Sequence, residues 1–345
     1  MKTIPFALSL ASLAGLPGAL ANPPTLQSFS APYQTMGEIE RLDPALDVLL
    51  APSARIEKLA EGFDWSEGPL WLPGEDRLLF SDVPRNIVYS WRESEGVKIF
   101  LEPSGFTGDH YDGTEPGSNG LALDPQGRLT LAQHGDRRIA RLDTDGRSFV
   151  TLADRYQGRR FNSPNDLCFD RAGNVYFTDP PYGLGRSSTK ELDFHGVYRV
   201  TPNGGVSLLA QELDRPNGIA LSPDEGTLYV ANSDRNRPVI LAYPLSRDGS
   251  VGRSRVLFDG TELVRKGRSG LFDGLKVDQQ GNLWATGPGG VLILSPEGRH
   301  LGTLRTGQAT ANCAFGGDGS VLYITADGVL CRVQTRVVGT GFPKH

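Results

Sequence analysis

An all-β ring of six repeated blades is what this sequence predicts, and three observations carry the prediction. A short pattern recurs: a polar residue, then Gly, Asp or Pro, an apolar strand, a tight turn of Asp, Pro and Gly, and a second apolar strand. Ser163-Pro-Asn-Asp-Leu-Cys-Phe169 running on to Val175-Tyr-Phe-Thr-Asp179 shows it, and the stretches opening at Asn119, Asn217 and Asp273 repeat it. Shorter copies open at Glu67 and Asn312, making six. Second, the leading residues Glu67, Asn119, Asn165, Asn217, Asp273 and Asn312 are spaced by 52, 46, 52, 56 and 39 residues. A strand-rich repeat of roughly 40–50 residues is the signature of a β-propeller with one blade per repeat. Third, 43 glycines and 24 prolines are spread along the chain without clustering, as many tight turns between short strands require.

Taken in order, Met1–Ala21 combines Lys2, an apolar run over Ile4–Leu16 and a small-x-small end at Ala19-Leu-Ala21. That is the pattern of a secretory signal peptide, so export to the periplasm is expected. The apolar run is too short and Pro-interrupted to span a bilayer. Residues 22–54 form an N-terminal extension, Pro-rich at first and helix-like over Gly37–Leu50. Residues 55–345 are the propeller domain. Alternation over Arg55–Ala60 predicts a strand that pairs with the last blade and closes the circle, leaving no exposed edge there. Further strands are expected at 86–91, 138–142, 196–200, 239–243 and 290–294, with hairpin turns such as Asp143-Thr-Asp-Gly146. Two connections exceed what a propeller needs, Glu102–Ser118 and Asp179–His195, and both are placed to overhang the axis as a lid.

The net charge of −5 without a basic block argues against a nucleic-acid partner, and no hydrophobic segment indicates a membrane anchor. A monomer or homodimer is expected. Cys168, Cys313 and Cys331 do not amount to a disulfide framework, although Cys313 and Cys331 share a blade and could pair after export.

In a propeller, equivalent positions of every blade point at one axis, so the six leading residues should form a ring of oxygen-bearing side chains. A carboxylate desolvated there costs several kcal/mol unless neutralised. Glu67 and Asp273 hold such positions, Asn amides share the ring, and no Lys or Arg occupies a leading position. A hard divalent cation, Ca²⁺ before Mg²⁺, answers that demand. The absence of His and Cys from the ring argues against zinc.

Glu67-Gly-Pro, Ser163-Pro-Asn-Asp, Asp179-Pro-Pro-Tyr-Gly, Arg215-Pro-Asn-Gly and Phe272-Asp-Gly-Leu resemble the gluconolactonase/senescence-marker-protein (regucalcin)-like family, nearest its bacterial gluconolactonases. The likeness runs from about Leu42 to the last blade. It implies a six-bladed propeller with a catalytic Ca²⁺ on the axis, for which Mg²⁺, Mn²⁺ or Zn²⁺ can substitute. It implies Glu67, Asn217 and Asp273 as metal ligands. Asn165 falls where relatives place either a fourth ligand or a substrate contact, Asn119 is expected to contact substrate or water, and Asn312 to be structural. The regucalcin branch carries an Arg two residues before the Asn of the third blade; here that residue is Ser163, so its sugar contact does not transfer.

The implied reaction is hydrolysis of a sugar lactone, glucono-1,5-lactone foremost, by metal polarisation of the carbonyl and attack of an activated water. Two residues could serve as general base: Asp273, and His134 at the end of the second strand of blade two, whose imidazole suits proton transfer near neutrality. Asp179 and Tyr182 on the second long connection are candidate substrate contacts, and His110 and His195 weaker rim candidates. Two other functions fit the same ring: hydrolysis of organophosphates or aryl esters, and a non-catalytic Ca²⁺-binding propeller that presents a face to a partner.

Overall fold

The computed structural model describes residues 25–343 and forms a six-bladed β-propeller; the expected signal peptide lies outside the described residues. Blades one to five each contribute four antiparallel strands in chain order: 66–101, 118–153, 167–210, 216–259 and 275–305. Blade six takes three strands from the C-terminal end, over 310–334, and its fourth, Ile56–Glu61, from the N-terminal end. That strand pairs antiparallel with Val329–Gln334, so the ring is closed by hydrogen bonds between chain ends and not by a covalent link.

The strands expected at 86–91, 138–142, 196–200, 239–243 and 290–294 form, as the third of each blade, each followed by a fourth, more exposed strand. The helix-like reading of Gly37–Leu50 is corrected. Glu38–Arg41 is a strand that adds a fifth member to blade five, and only Leu46–Leu49 is helical. Its alternating register lets Arg268 grip Glu40 with two 2.7 Å hydrogen bonds, while the buried Leu46 and Leu49 fill a gap between blades five and six. A one-turn helix there has too little length to be stable alone and survives by that packing.

The core is a set of apolar layers between neighbouring blades. Trp71 of blade one stacks on Tyr323 of blade six with ring centres 5.4 Å apart. Phe161, Phe177 and Tyr198 form a similar group at blade three. Cys313 and Cys331 are buried and unpaired. Both stand opposite Ile324 from either side, two strand spacings apart (roughly 9–10 Å), which no disulfide can bridge.

At the axis the blades nearly touch. A Cβ added to Gly120 would lie 2.8 Å from the Asn165 carbonyl oxygen, and one on Gly218 would lie 2.2 Å from that of Asp273. These glycines sit inside or at the start of inner strands without positive φ. The recurrent Asn-Gly and Asp-Gly pairs are therefore selected for close approach between blades, not for a turn. The space freed is used at once: Gly120 N–H donates to Asn165 O at 2.7 Å and Gly218 N–H to Asp273 O at 3.0 Å.

Candidate metal centre and substrate cavity

Five of the six leading residues, Glu67, Asn119, Asn165, Asn217 and Asp273, line one cavity, and the sixth, Asn312, is hydrogen-bonded to Glu67. In blades one, four and six the inner strand carries a register shift beside the ring residue, between Glu67 and Leu70, Pro216 and Ile219, and Thr310 and Asn312. Such bulges turn a side chain out of the pleat and toward the centre. Hydroxyls of the second strands then fix the backbone of the next blade's ring position: Ser81 donates to Asn119 O at 2.9 Å and Thr178 to Asn217 O at 2.7 Å.

Glu67, Asn119, Asn165, Asn217 and Asn312 are buried, and Asp273 is partly open to a cavity of about 310 Å³ above the ring. Glu67, Asn119, Asn165, Asn217, Asp273 and Tyr182 line this cavity together with Glu115, Arg215, Ser233, Arg235, Trp65 and Leu271. Four ring oxygens are buried without any hydrogen-bond partner: Oδ1 of Asn119, Asn165, Asn217 and Asp273. An unpartnered buried oxygen costs about 1–3 kcal/mol, and four on one axis need a common explanation. Burial raises both carboxyl groups well above the ordinary range, and they and Asp166 repel one another; for Asp273 the neighbouring Asn217 amide offsets a part. The largest influences on the two acids are burial, neighbouring carboxylates, and hydrogen bonds from amide and backbone N–H groups. A hard divalent cation satisfies the oxygens and cancels the repulsion, so the donor set fits one. Among the described residues no group of three Asp, Glu, His or Cys side chains could hold a metal ion; the donor set here mixes amide and carboxylate oxygens, the chemistry of Ca²⁺ or Mg²⁺ sites.

Asn312 behaves differently from the other amides. Its Nδ2 donates to Glu67 Oε2 at 3.2 Å and to Asp166 Oδ2 at 3.4 Å, and its Oδ1 accepts from Lys276 at 3.3 Å. It is a spacer between acids. Asp166 and Lys276 were missed from sequence. Asp166 stands where four of the other five copies have Gly, so the departure from the repeat was its signal. Lys276 comes three residues after Asp273 and reaches within 4.0 Å of Asp166, supplying beneath the ring the positive charge absent from it.

His134 is fully buried and does not line the cavity. Its Nε2 lies 3.3 Å from Asn165 Nδ2, and its Nδ1 stands 3.2 Å from Glu115 Oε2 in an off-axis contact. The amide N–H donating to Nε2 leaves Asn165 Oδ1 pointing toward the ring. His134 thus orients the Asn165 amide, and the expectation of a base touching water is not met by its position. The two long connections cover it: Tyr111 donates to Gly183 O at 2.6 Å, Ser187 N–H to Asp112 at 2.7 Å, and Gly183 packs against the His134 side chain. Ser163 ties this lid down, donating to Pro180 O at 2.6 Å and accepting from Gly183 N–H at 3.0 Å.

Asp179 also sits away from the cavity. Its fully buried carboxylate accepts from the N–H groups of Asn162 and Ser163, both at 2.8 Å, and so shapes the turn that delivers Asn165. Asp82 does the same for Asp64 and Trp65, and Asn232 for Arg215. The residue ending the second strand is a repeated turn anchor, and the predicted substrate contact at Asp179 is corrected accordingly. Tyr182 does face the cavity. Burial pushes its hydroxyl up to about 12, and it is close to Ser233 and Asn217. His110 is exposed, and His195 is held by the Asp214 carbonyl.

A closed six-bladed propeller with an oxygen-lined axial site beneath a polar cavity defines the class. The sequence profile of the SMP-30/gluconolactonase/LRE-like region matches residues 65–328, and the chain belongs to that family. It is 45% identical over 314 residues to the gluconolactonase of Zymomonas mobilis, covering 88% of each chain. The solved structure of a Xanthomonas campestris gluconolactonase superposes with a TM-score of 0.77 at 34% identity, covering 91% of this chain and 99% of that one. A calcium-binding regucalcin from Agrobacterium tumefaciens shares the fold, at a TM-score of 0.64 and 21% identity, over 81% of this chain and 92% of that one.

Proposed function

We propose that this enzyme of the gluconolactonase family hydrolyses a sugar lactone, glucono-1,5-lactone first, with a divalent cation, Ca²⁺ by donor chemistry, held by Glu67, Asn165, Asn217 and Asp273. The observation that carries the reading is the set of unpartnered buried oxygens on residues that line one cavity. The gluconolactonases of Zymomonas and Xanthomonas support the choice of substrate.

A cation bound there would polarise the lactone carbonyl and stabilise the negative charge that grows on its oxygen. The chain's own residues do the rest. The cavity has the size of a small-ligand site, at the lower end of the usual range. Tyr182 keeps its proton at neutral pH and donates a hydrogen bond to a substrate hydroxyl, and the Asn119 amide oxygen accepts one. Asp273 is the ring carboxylate water can reach, so it takes the proton of the attacking water. The water oxygen bonds to the carbonyl carbon, the ring C–O bond breaks, and the departing oxygen takes the proton back from Asp273 to become the hydroxyl of the open acid. His134 and Glu115 hold Asn165 in place throughout. Export to the periplasm, supported by the leader pattern of Met1–Ala21, is part of this reading and is checked by N-terminal sequencing of the secreted protein.

Acid release from glucono-1,5-lactone, followed at constant pH with Ca²⁺ and then with excess chelator, tests the activity. Rapid, chelator-sensitive release is expected. Tight cation binding without lactone or ester turnover would identify a binding propeller instead.

A further inference from the structure

The mouth of the cavity carries two guanidinium groups that form no ion pair among the described residues. Arg215 and Arg235 line it from blade four, the first two residues before Asn217 and the second two residues after Ser233. Both are exposed, and neither forms an ion pair or a side-chain hydrogen bond among the described residues. Their neighbours are engaged differently: Arg237 donates to Glu212 O at 3.0 Å, and Arg268 grips Glu40. Arg215 is also aimed. Its guanidinium lies over the ring of Tyr182, 5.9 Å from the centroid, and so is tied to a residue that faces the substrate. The acids of the same cavity are committed elsewhere. Glu115 is drawn to His134, Glu67 accepts from Gly68 N–H and Asn312, and Asp273 belongs to the proposed cation site.

We propose, building on the lactone-hydrolase reading, that the preferred substrate is a lactone bearing a carboxylate or phosphate remote from the reacting carbonyl, which Arg215 and Arg235 grip. A guanidinium fork matches either anion with two parallel hydrogen bonds, and two forks on one wall of a narrow cleft focus the field on an incoming anion. Amide and hydroxyl groups, already present as Asn119, Tyr182 and Ser233, suffice for a neutral sugar ring.

The test compares three probes on the Ca²⁺-loaded protein: glucono-1,5-lactone, glucaro-1,4-lactone and 6-phosphoglucono-1,5-lactone. At least one charged lactone is expected to exceed the neutral one in kcat/KM by about tenfold, as charge-assisted hydrogen bonds allow, with the advantage shrinking at high salt; which charged probe wins identifies the anion. Arg215→Gln and Arg235→Gln are each expected to lower the charged-to-neutral ratio of kcat/KM at least several-fold, mainly through KM. Melting temperatures of the variants confirm that they fold, and inorganic phosphate or glucarate inhibits the parent protein more strongly than it inhibits them. Preference for the neutral lactone over both charged ones, or an unchanged ratio in both variants, overturns this proposal alone. Turnover of none of the three overturns the lactone reading and this proposal with it.

Discussion

Asn165 binds nothing unless its amide faces the right way, and a histidine decides that. With His134 accepting from Nδ2, the oxygen is free for the ring; without it the amide can rotate. His134→Ala is therefore expected to weaken Ca²⁺ binding by about tenfold, the usual effect of removing such an orienting partner. His134→Gln, which still offers an accepting oxygen, should recover part of the loss. Calorimetric titration of both variants checks this, and equal affinity in all three proteins would remove His134 from ligand positioning. The anchoring aspartates make a second, independent prediction. Burial raises Asp179 to about 7 and Asp82 to about 6, against the hydrogen bonds that favour their ionised forms. The native state thus holds these protons more tightly than the unfolded chain does. Their contribution is most favourable below the unfolded carboxylate range and is lost as pH rises through the raised values. The stability advantage of the parent protein over Asp179→Asn is expected to be larger at pH 5 than at pH 8 in urea unfolding; a gap that widens with pH would contradict the assignment.

The inner strand is the element that turns a repeat into a site. Each ring residue leaves a strand that must lie against the neighbouring blade, and Gly at the next position permits it in four of the copies: Glu67-Gly68, Asn119-Gly120, Asn217-Gly218 and Asp273-Gly274. Blade three carries Asp166 at that place and blade six Cys313, which is why the axis is not symmetric. Gly218→Ala would drive a methyl group into the Asp273 carbonyl. A loss of about 1–3 kcal/mol is expected, as for other overpacked positions, together with weaker Ca²⁺ binding because blade five must shift. Gly252→Ala is the matched control, since a Cβ there meets only Pro244 at 3.5 Å. Denaturant unfolding with and without Ca²⁺ separates the two effects. The pattern itself was legible from sequence, but its reason was not. Asn-Gly reads as turn chemistry until the neighbouring blade is seen to pass within contact of the glycine.

For the whole molecule, closure of the ring and the proposed cation site are separate sources of stability. The ring is shut by Ile56–Glu61 against Val329–Gln334, with Leu59 fully buried between blades. The proposed ligands come from blades one, three, four and five, so a cation held there would clasp elements far apart in sequence. Saturating Ca²⁺ should raise the melting temperature, and at 100-fold excess over Kd it should contribute about 2.7 kcal/mol. Leu59→Ala is expected to cost about 2–5 kcal/mol by opening a cavity at the seam, leaving the Ca²⁺-dependent increment in place. A melting temperature indifferent to Ca²⁺ and chelator would deny the axial cation site.

The number of blades, their order, the closing strand and the six axial positions were all determined by the sequence itself, because a repeat of period-2 apolar patterning states locally what each segment does. So was the oxygen character of the ring, since side-chain type is a local fact. What only the tertiary structure decided is which polar atoms remain without partners. Asn312 and Asn165 are the same residue at equivalent places, yet one is spent on Glu67 and Asp166 and the other keeps its oxygen free, held by a histidine from blade two. Asp179 and Asp273 are both acids at the inner edge of a blade, yet one is buried and closes a turn while the other opens on the cavity. Hydrogen-bond satisfaction depends on neighbours brought in from other blades, and no single repeat contains that information.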